Sequence, residues 1–285
     1  MDLAYWGFSH WPFQRRQTAG DAVIGAAHDE AYARLLFVID EQRRCGSLMG
    51  SGGTGKSCLF RRATDYARRQ GRMCIAIDAA SMDAVELTLQ IADQMLAGCD
   101  GASSSVTWSR IQQQLANRAL VRQAAVILID NVDSAHRECG QVLRRLMNLA
   151  ESLDAALAVL LFSREPVASP ELQEQIELSI ELSGWSIGET SQFVWNATRT
   201  AGAKRAIFTP DAMALIQDLT QGIPADVIRT CDLALLAAMS DERREVDAAL
   251  VQAAAAEFSP RHSAKAHPRS LARPERAGAM ASTES

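Results

Sequence analysis

The sequence predicts an α/β protein, with a parallel sheet covered by helices and an all-helical domain after it. The first observation is that short apolar runs alternate with helical patterns between residues 47 and 182, which is typical of a parallel sheet buried on both faces. The second is a glycine-rich segment between the first strand and the next helix. The third is that only helical patterns follow Ser186.

Composition indicates an ordinary globular protein. The 285 residues suffice for one or two domains, and 48% hydrophobic with 22% charged residues is a common balance. The net charge of −5 gives no whole-chain signal for nucleic acid. The six cysteines lack metal-ligand spacing, which favours reduced thiols. No apolar run reaches the roughly 20 residues of a membrane span, and no signal peptide is evident, so we expect a cytoplasmic location.

Five strands and five helices are predicted in the α/β part. The strands cover 47–49, 73–77, 125–129, 156–162 and 177–182, and the second and third end in aspartates. The helices cover 29–44, 56–70, 83–97, 107–122 and 135–152, with a loop at 98–105. The residues before 29 are aromatic-rich and are expected to be irregular.

Helix start signals recur in the all-helical part. They are a capping box at Ser186–Glu189, Thr209 before Pro210, and Asp247. Gly222, with Pro224 two residues later, separates two of these helices. We expect the last helix to end near Glu257, which leaves a proline-containing, mainly basic tail. The tail is predicted to be disordered and solvated, and a nonspecific contact to nucleic acid or an acidic partner is the alternative.

The glycine-rich segment matches the phosphate-binding motif G-x-x-x-x-G-K-[ST]. Glycines let the backbone wrap so that its N–H groups point at phosphate oxygens, and the following helix adds its positive end. Lys56 would reach the terminal phosphates, and the Ser57 hydroxyl would bind Mg²⁺. The predicted nucleotide-binding residues are Gly50, Ser51, Gly52, Gly53, Thr54, Gly55, Lys56, Ser57 and Cys58.

An acidic residue at the end of an apolar strand supplies the second half of such a site. Asp130 follows Val126-Ile127-Leu128-Ile129 and would hold the magnesium through water. The alternative is an aspartate that only ends a strand. Because a phosphate loop precedes it at a fitting distance, the metal role is favoured.

These motifs resemble an AAA+ ATPase and, more specifically, the ExeA (general secretion pathway protein A) group. Four stretches between residues 3 and 257 carry the resemblance: the opening Tyr5-Trp6-Gly7-Phe8 with Pro12-Phe13, the helix from His28 to Leu35, Phe208 to Ala212, and Gly222-Ile223-Pro224 with Cys231 to Ala238. The resemblance implies ATP and Mg²⁺ as ligands, a helical lid, and work at the cell envelope.

Three positions depart from the pattern of that family. Asn131 stands where the family has a catalytic glutamate, Gln175 where it has an arginine finger, and Ala225 where it has the sensor-2 arginine. An amide orients a water but cannot accept its proton. The resemblance therefore predicts ATP binding with slow hydrolysis.

Other side chains are candidate replacements for the missing groups. Asp133 would replace the glutamate, Arg164 beside the sensor-1-like Ser163 would face the γ-phosphate, and Arg229 lies one helical turn after Ala225. We therefore count Asp130, Asn131, Asp133, Ser163, Arg164 and Arg229 as catalytic candidates, and Ser57 with Asp130 as metal ligands.

The resemblance also predicts a domain organisation. An N-terminal segment at 1–28 packs on the ATPase core, the AAA+ domain covers 29–184, the helical lid covers 185–258, and the basic tail covers 259–285.

Three functions remain open at this point. The first is a weak or partner-dependent ATPase that couples ATP to conformational change, with a protein partner or further copies of itself. The second is a nucleotide-gated binding module without significant turnover. The third is a DNA-associated accessory ATPase that resembles transposition regulators, for which salt-dependent DNA binding would be the signature.

Overall fold

A five-stranded parallel sheet forms the centre of the protein. The computed structural model describes residues 3–13, 25–95 and 103–256. The strand order is β2-β3-β4-β1-β5, and every neighbouring pair is parallel. The strands are β1 (Cys45–Met49), β2 (Met73–Asp78), β3 (Ala125–Asp130), β4 (Leu157–Ser163) and β5 (Leu178–Glu181).

Helices surround the sheet and then form a separate group. Those of the first part are α1 (Leu3–Trp6), α2 (Ala26–Asp40), α3 (Lys56–Arg69), α4 (Ala84–Gln94), α5 (Ser104–Leu120), α6 (Cys139–Ser152) and the short α7 (Pro170–Gln173). The lid helices are α8 (Ile187–Ala201), α9 (Pro210–Thr220), α10 (Pro224–Ser240) and α11 (Ala248–Ala256). The predicted fold class is confirmed.

The apolar runs of β3 and β4 are buried because both faces of the sheet are covered. Ile127 and Ile129 pack into a cluster with α4, α5 and α6. Val126 and Leu128 pack on the other face with α2 and α3. Alternate side chains of a strand point to opposite faces, so a strand buried on both sides must be apolar throughout.

Several element bounds differ from the prediction. The first long helix begins at Ala26 rather than at 29, and α5 begins at Ser104 rather than at 107. Helix α6 begins at Cys139 rather than at 135, because a 3₁₀ turn at Val132–Ser134 precedes it and Ala135 is extended. The predicted loop at 98–105 lies partly outside the described residues.

The N-terminal segment packs against the lid helices. Trp6, Phe8, Trp11 and Phe13 are buried in one cluster with α8 to α11. The Ser9 N–H donates to the Ala201 carbonyl at 2.7 Å. The segment is also less irregular than predicted, since residues 3–6 are helical. Large aromatic side chains favour burial, and the lid offers them apolar surface.

No helix in the described part of the chain is long and apolar enough to cross a membrane. The predicted basic tail at 259–285 lies outside the described residues.

Candidate functional site

The glycine-rich loop lies at the carboxyl end of β1 and leads directly into α3. Gly53 and Gly55 have φ angles of 91° and 104°, which side chains rarely adopt. Within the described residues, the backbone N–H groups of Gly53, Gly55, Lys56 and Ser57 reach no carbonyl acceptor. Such N–H groups at a helix start form a site for an anion.

Lys56 is buried inside the loop. Its ammonium donates to the carbonyls of Gly50 at 2.6 Å and Ser51 at 2.9 Å. Burial lowers the pKa of Lys56 and the nearby Arg164 lowers it further, against the opposite effect of Asp130 and Asp133. An anionic ligand would offset both lowering effects.

Ser57 and Asp130 come together below the loop. The Ser57 hydroxyl donates to Oδ2 of Asp130 at 3.3 Å, and burial raises the pKa of that carboxyl group. Paired hydroxyl and carboxylate oxygens suit Mg²⁺. No group of three or more His, Cys, Asp or Glu side chains in the described ranges is placed to hold a metal. Cys58 is buried in the first turn of α3, where its N–H donates to the Gly55 carbonyl at 2.9 Å.

Asn131 is fixed beside Asp130 in an unusual conformation. Its φ is 54°, and its side-chain amide donates to Oδ1 of Asp78 at 2.8 Å. Asp78 ends β2 directly opposite Asp130 in the register of the sheet. Sequence reasoning missed Asp78, although adjacent parallel strands that both end in aspartate bring the two carboxylates to one edge.

The end of β4 brings Ser163 and Arg164 next to the loop. Ser163 is buried, and its carbonyl accepts the Gly50 N–H at 3.2 Å. The Arg164 backbone N–H donates to Oδ1 of Asp133 at 3.1 Å. The Arg164 side chain lines a cavity of about 380 Å³ together with Gly50 and other loop residues. The structure thus brings Arg164 to the loop, while Asp133 holds the backbone of Arg164.

Two of the departures from the family pattern, Ala225 and Gln175, lie at different distances from the loop. The Ala225 N–H donates to the Gly53 carbonyl at 3.2 Å, so this position touches the loop. Arg229 follows one turn later in α10 and is exposed. Gln175 precedes β5 and lies near the start of β1, since the Glu177 N–H donates to the Cys45 carbonyl. The start of β1 is about 16 Å from the loop, because the five residues of β1 each extend the strand by roughly 3.3 Å.

His28 braces the loop from α2, a role that sequence reasoning missed. The ring is fully buried, and Nε2 lies 2.6 Å from the Thr54 carbonyl, to which it donates. Its Nδ1 has no hydrogen-bond partner in the described part, and burial lowers the pKa of the ring. The sequence did offer a signal for this role, because His28 begins the first-helix motif that resembles the ExeA group.

A tight backbone junction joins the start of the lid to the turn before α10. The Trp185 N–H donates to the Gly222 carbonyl at 2.8 Å. Gly222 has a φ of 69°, and a Cβ there would lie 1.9 Å from the Trp185 carbonyl oxygen. The Glu189 carboxylate accepts the N–H groups of Ser186 and Ala26. The lid thus contacts α2 through Glu189, and it contacts the loop through Ala225.

Comparison with known proteins agrees with this geometry. Residues 34–168 match the family model of the AAA domain. This part of the chain is therefore similar to the AAA domain. It is 24% identical over 249 residues to general secretion pathway protein A of Aeromonas hydrophila, a match that covers 84% of this chain and 45% of that protein. The chain thus spans less than half the length of this relative, and the ExeA resemblance is confirmed.

Solved structures support the fold. Cdc6p from Pyrobaculum aerophilum has a TM-score of 0.62 at 14% identity, covering 90% of this chain and 71% of that one. A chain of Drosophila ORC bound to DNA has a TM-score of 0.63 at 18% identity, covering 87% and 66%. Identities this low establish the fold alone.

Proposed function

We propose that this AAA+ protein binds Mg-ATP at the glycine-rich loop and uses it to set the position of the lid, with slow or partner-dependent hydrolysis. The observation that carries the proposal is the hydrogen bond from the Ala225 N–H of α10 to the Gly53 carbonyl. Because the lid touches the loop itself, a ligand there changes the free energy of lid opening.

The residues present fit a nucleotide with its metal ion. The N–H groups of Gly53, Gly55, Lys56 and Ser57 would bind phosphate oxygens, together with the Lys56 ammonium. Ser57 and Asp130 would hold Mg²⁺, which when bound neutralises charge on the phosphates. ATP rather than another nucleotide follows from the family.

Slow turnover follows from what surrounds this loop. The Asn131 amide cannot accept the proton of an attacking water, and it already donates to Asp78. Ala225 brings no positive charge to Gly53, whereas Arg164 lines the cavity beside the loop. An arginine finger can contribute about 10³–10⁵ in rate. Faster hydrolysis would then need a group from a partner or from another copy of the chain.

Hydrogen exchange at one amide tests the coupling between nucleotide and lid. Saturating Mg-ATP should slow exchange of the Ala225 amide, since this N–H bonds to the loop. Exchange of the Thr209 amide, which bonds to Val246 within the lid, is the internal control. Lys56→Ala should abolish the effect. Unchanged Ala225 exchange despite bound ATP would contradict the coupling.

The DNA-associated alternative has its sequence support in the tail at 259–285, which lies outside the described residues. It remains a prediction, and duplex binding that weakens with salt and with removal of the tail would favour it.

A further inference from the structure

The lid carries an apolar groove between α8 and α9, on residues that the nucleotide proposal does not use. Its volume is about 420 Å³, and its larger lining side chains include Ile187, Trp195, Phe208 and Met213. Trp195 is 38% exposed and Ile187 is 47% exposed. Large apolar side chains left in contact with water around one groove are typical of an interaction site.

A basic rim adjoins the groove. Ala206 lines both the groove and a neighbouring depression that is formed by Arg205, Arg243, Arg244 and Glu245. Three arginines and one glutamate line this depression. The same stretches of chain also carry Lys204 and the acidic side chains of Asp241, Glu242 and Asp247.

The two basic side chains nearest the groove are available to a partner. Arg243 is paired with Asp247 at 2.5 Å, and Arg244 lies over the Tyr5 ring. Lys204 and Arg205 are exposed and make no ion pair within residues 3–13, 25–95 and 103–256. Lys204 and Arg205 directly precede the groove-lining Ala206 and therefore place two positive charges beside the groove.

We infer that this groove binds an acidic amphipathic segment of a partner protein, with bulky apolar side chains in the groove and carboxylates on Lys204 and Arg205. Charge complementarity selects such a segment over a neutral one. An amphipathic helix laid in an apolar groove is a common mode of peptide recognition.

Other occupants fit the groove less well. Nucleic acid would use the rim, but apolar walls such as those formed by Phe208 and Met213 offer nothing to phosphates. The chain's own residues 257–285 carry more basic than acidic side chains, so the rim would repel them. The inference does not depend on nucleotide binding, because no lining residue belongs to the loop at 50–58.

Fluorescence anisotropy with a defined probe tests the inference. The probe is a labelled amphipathic peptide with Leu and Phe on one face and Glu on the other, and the matched peptide has Lys in place of Glu. We expect the 285-residue protein to bind the Glu peptide more tightly than the Lys peptide, and Trp195→Ala to weaken that binding roughly tenfold. Arg205→Glu should weaken it and reduce its salt dependence.

Matched variants away from the groove separate its role from general effects. Leu120→Ala removes another exposed apolar side chain and Arg61→Glu reverses another exposed charge, and both should bind the Glu peptide as the wild type does. Melting curves should show that all four variants are folded.

Three results would overturn the inference. The first is no binding of the Glu peptide. The second is binding that Trp195→Ala leaves unchanged, as expected if the peptide contacted the basic tail. The third is competition between duplex DNA and the peptide, with DNA binding that is lost in Arg205→Glu but kept in Trp195→Ala. That result would make the rim a nucleic-acid surface.

Discussion

His28 should stabilise both the fold and the loop, and His28→Phe tests this at nearly constant side-chain volume. The substitution removes the donor to the Thr54 carbonyl, and both residues are buried. An unsatisfied buried carbonyl costs about 1–3 kcal/mol. Loss of the unpartnered Nδ1 offsets part of that cost, so we expect the free energy of unfolding to fall by about 1–2 kcal/mol.

The same ring should make stability depend on pH in a defined direction. Burial lowers the pKa of His28 below its ordinary 6.5, so the unfolded chain binds the proton more readily. Stability is then retained above the unfolded pKa and lost as the pH falls from there towards the folded pKa. One proton contributes at most about 1.4 kcal/mol per pH unit.

Urea unfolding near pH 7.5 and near pH 5.5 measures both effects. Wild type should lose more stability on acidification than His28→Phe does. His136→Phe removes an exposed histidine and should keep the wild-type pH dependence. Equal stability of wild type and His28→Phe at both pH values would refute the reasoning.

Three further substitutions test other parts of the account. Gly222→Ala would place its Cβ 1.9 Å from a backbone oxygen and should lower the free energy of unfolding in urea by about 3 kcal/mol or more. Gly71 has a similar φ with open space around it, so Gly71→Ala should lower the free energy of unfolding by only about 1 kcal/mol. Asn131→Glu supplies a carboxylate at the missing catalytic position and should raise phosphate release about 10²-fold; unchanged release would show that this group does not limit turnover. Trp11→Phe removes the indole N–H that donates to Asp232 and should lower the free energy of unfolding by about 1–3 kcal/mol. An unchanged midpoint of thermal unfolding would contradict this prediction.

The sheet could be predicted from sequence because its signals are local. Buried parallel strands must be apolar on both faces, so runs such as Val126 to Ile129 identify themselves. The loop before Lys56 is also a local signal, since its glycines and lysine are consecutive. Capping residues such as Ser186 act within one helical turn, and the structure shows that capping box.

The contacts that hold the candidate site together could not be predicted in the same way. His28 to Thr54 and Asp78 to Asn131 join residues that are far apart in the sequence, and no periodicity records such pairs. The N-terminal aromatic residues indicate burial but not the surface that buries them. The roles of the site residues themselves remain predictions.

One measurement tests the central claim most directly: calorimetric titration of wild type and Lys56→Ala with Mg-ATP and Mg-ADP, with phosphate release followed in the same samples. We predict that wild type binds both nucleotides, that binding is lost in Lys56→Ala, and that phosphate release by the isolated protein is slow. Absence of nucleotide binding by the wild type would contradict the claim of a nucleotide site. Fast release that depends on Lys56 would contradict slow turnover and direct attention to Arg164, Asp133 and Arg229.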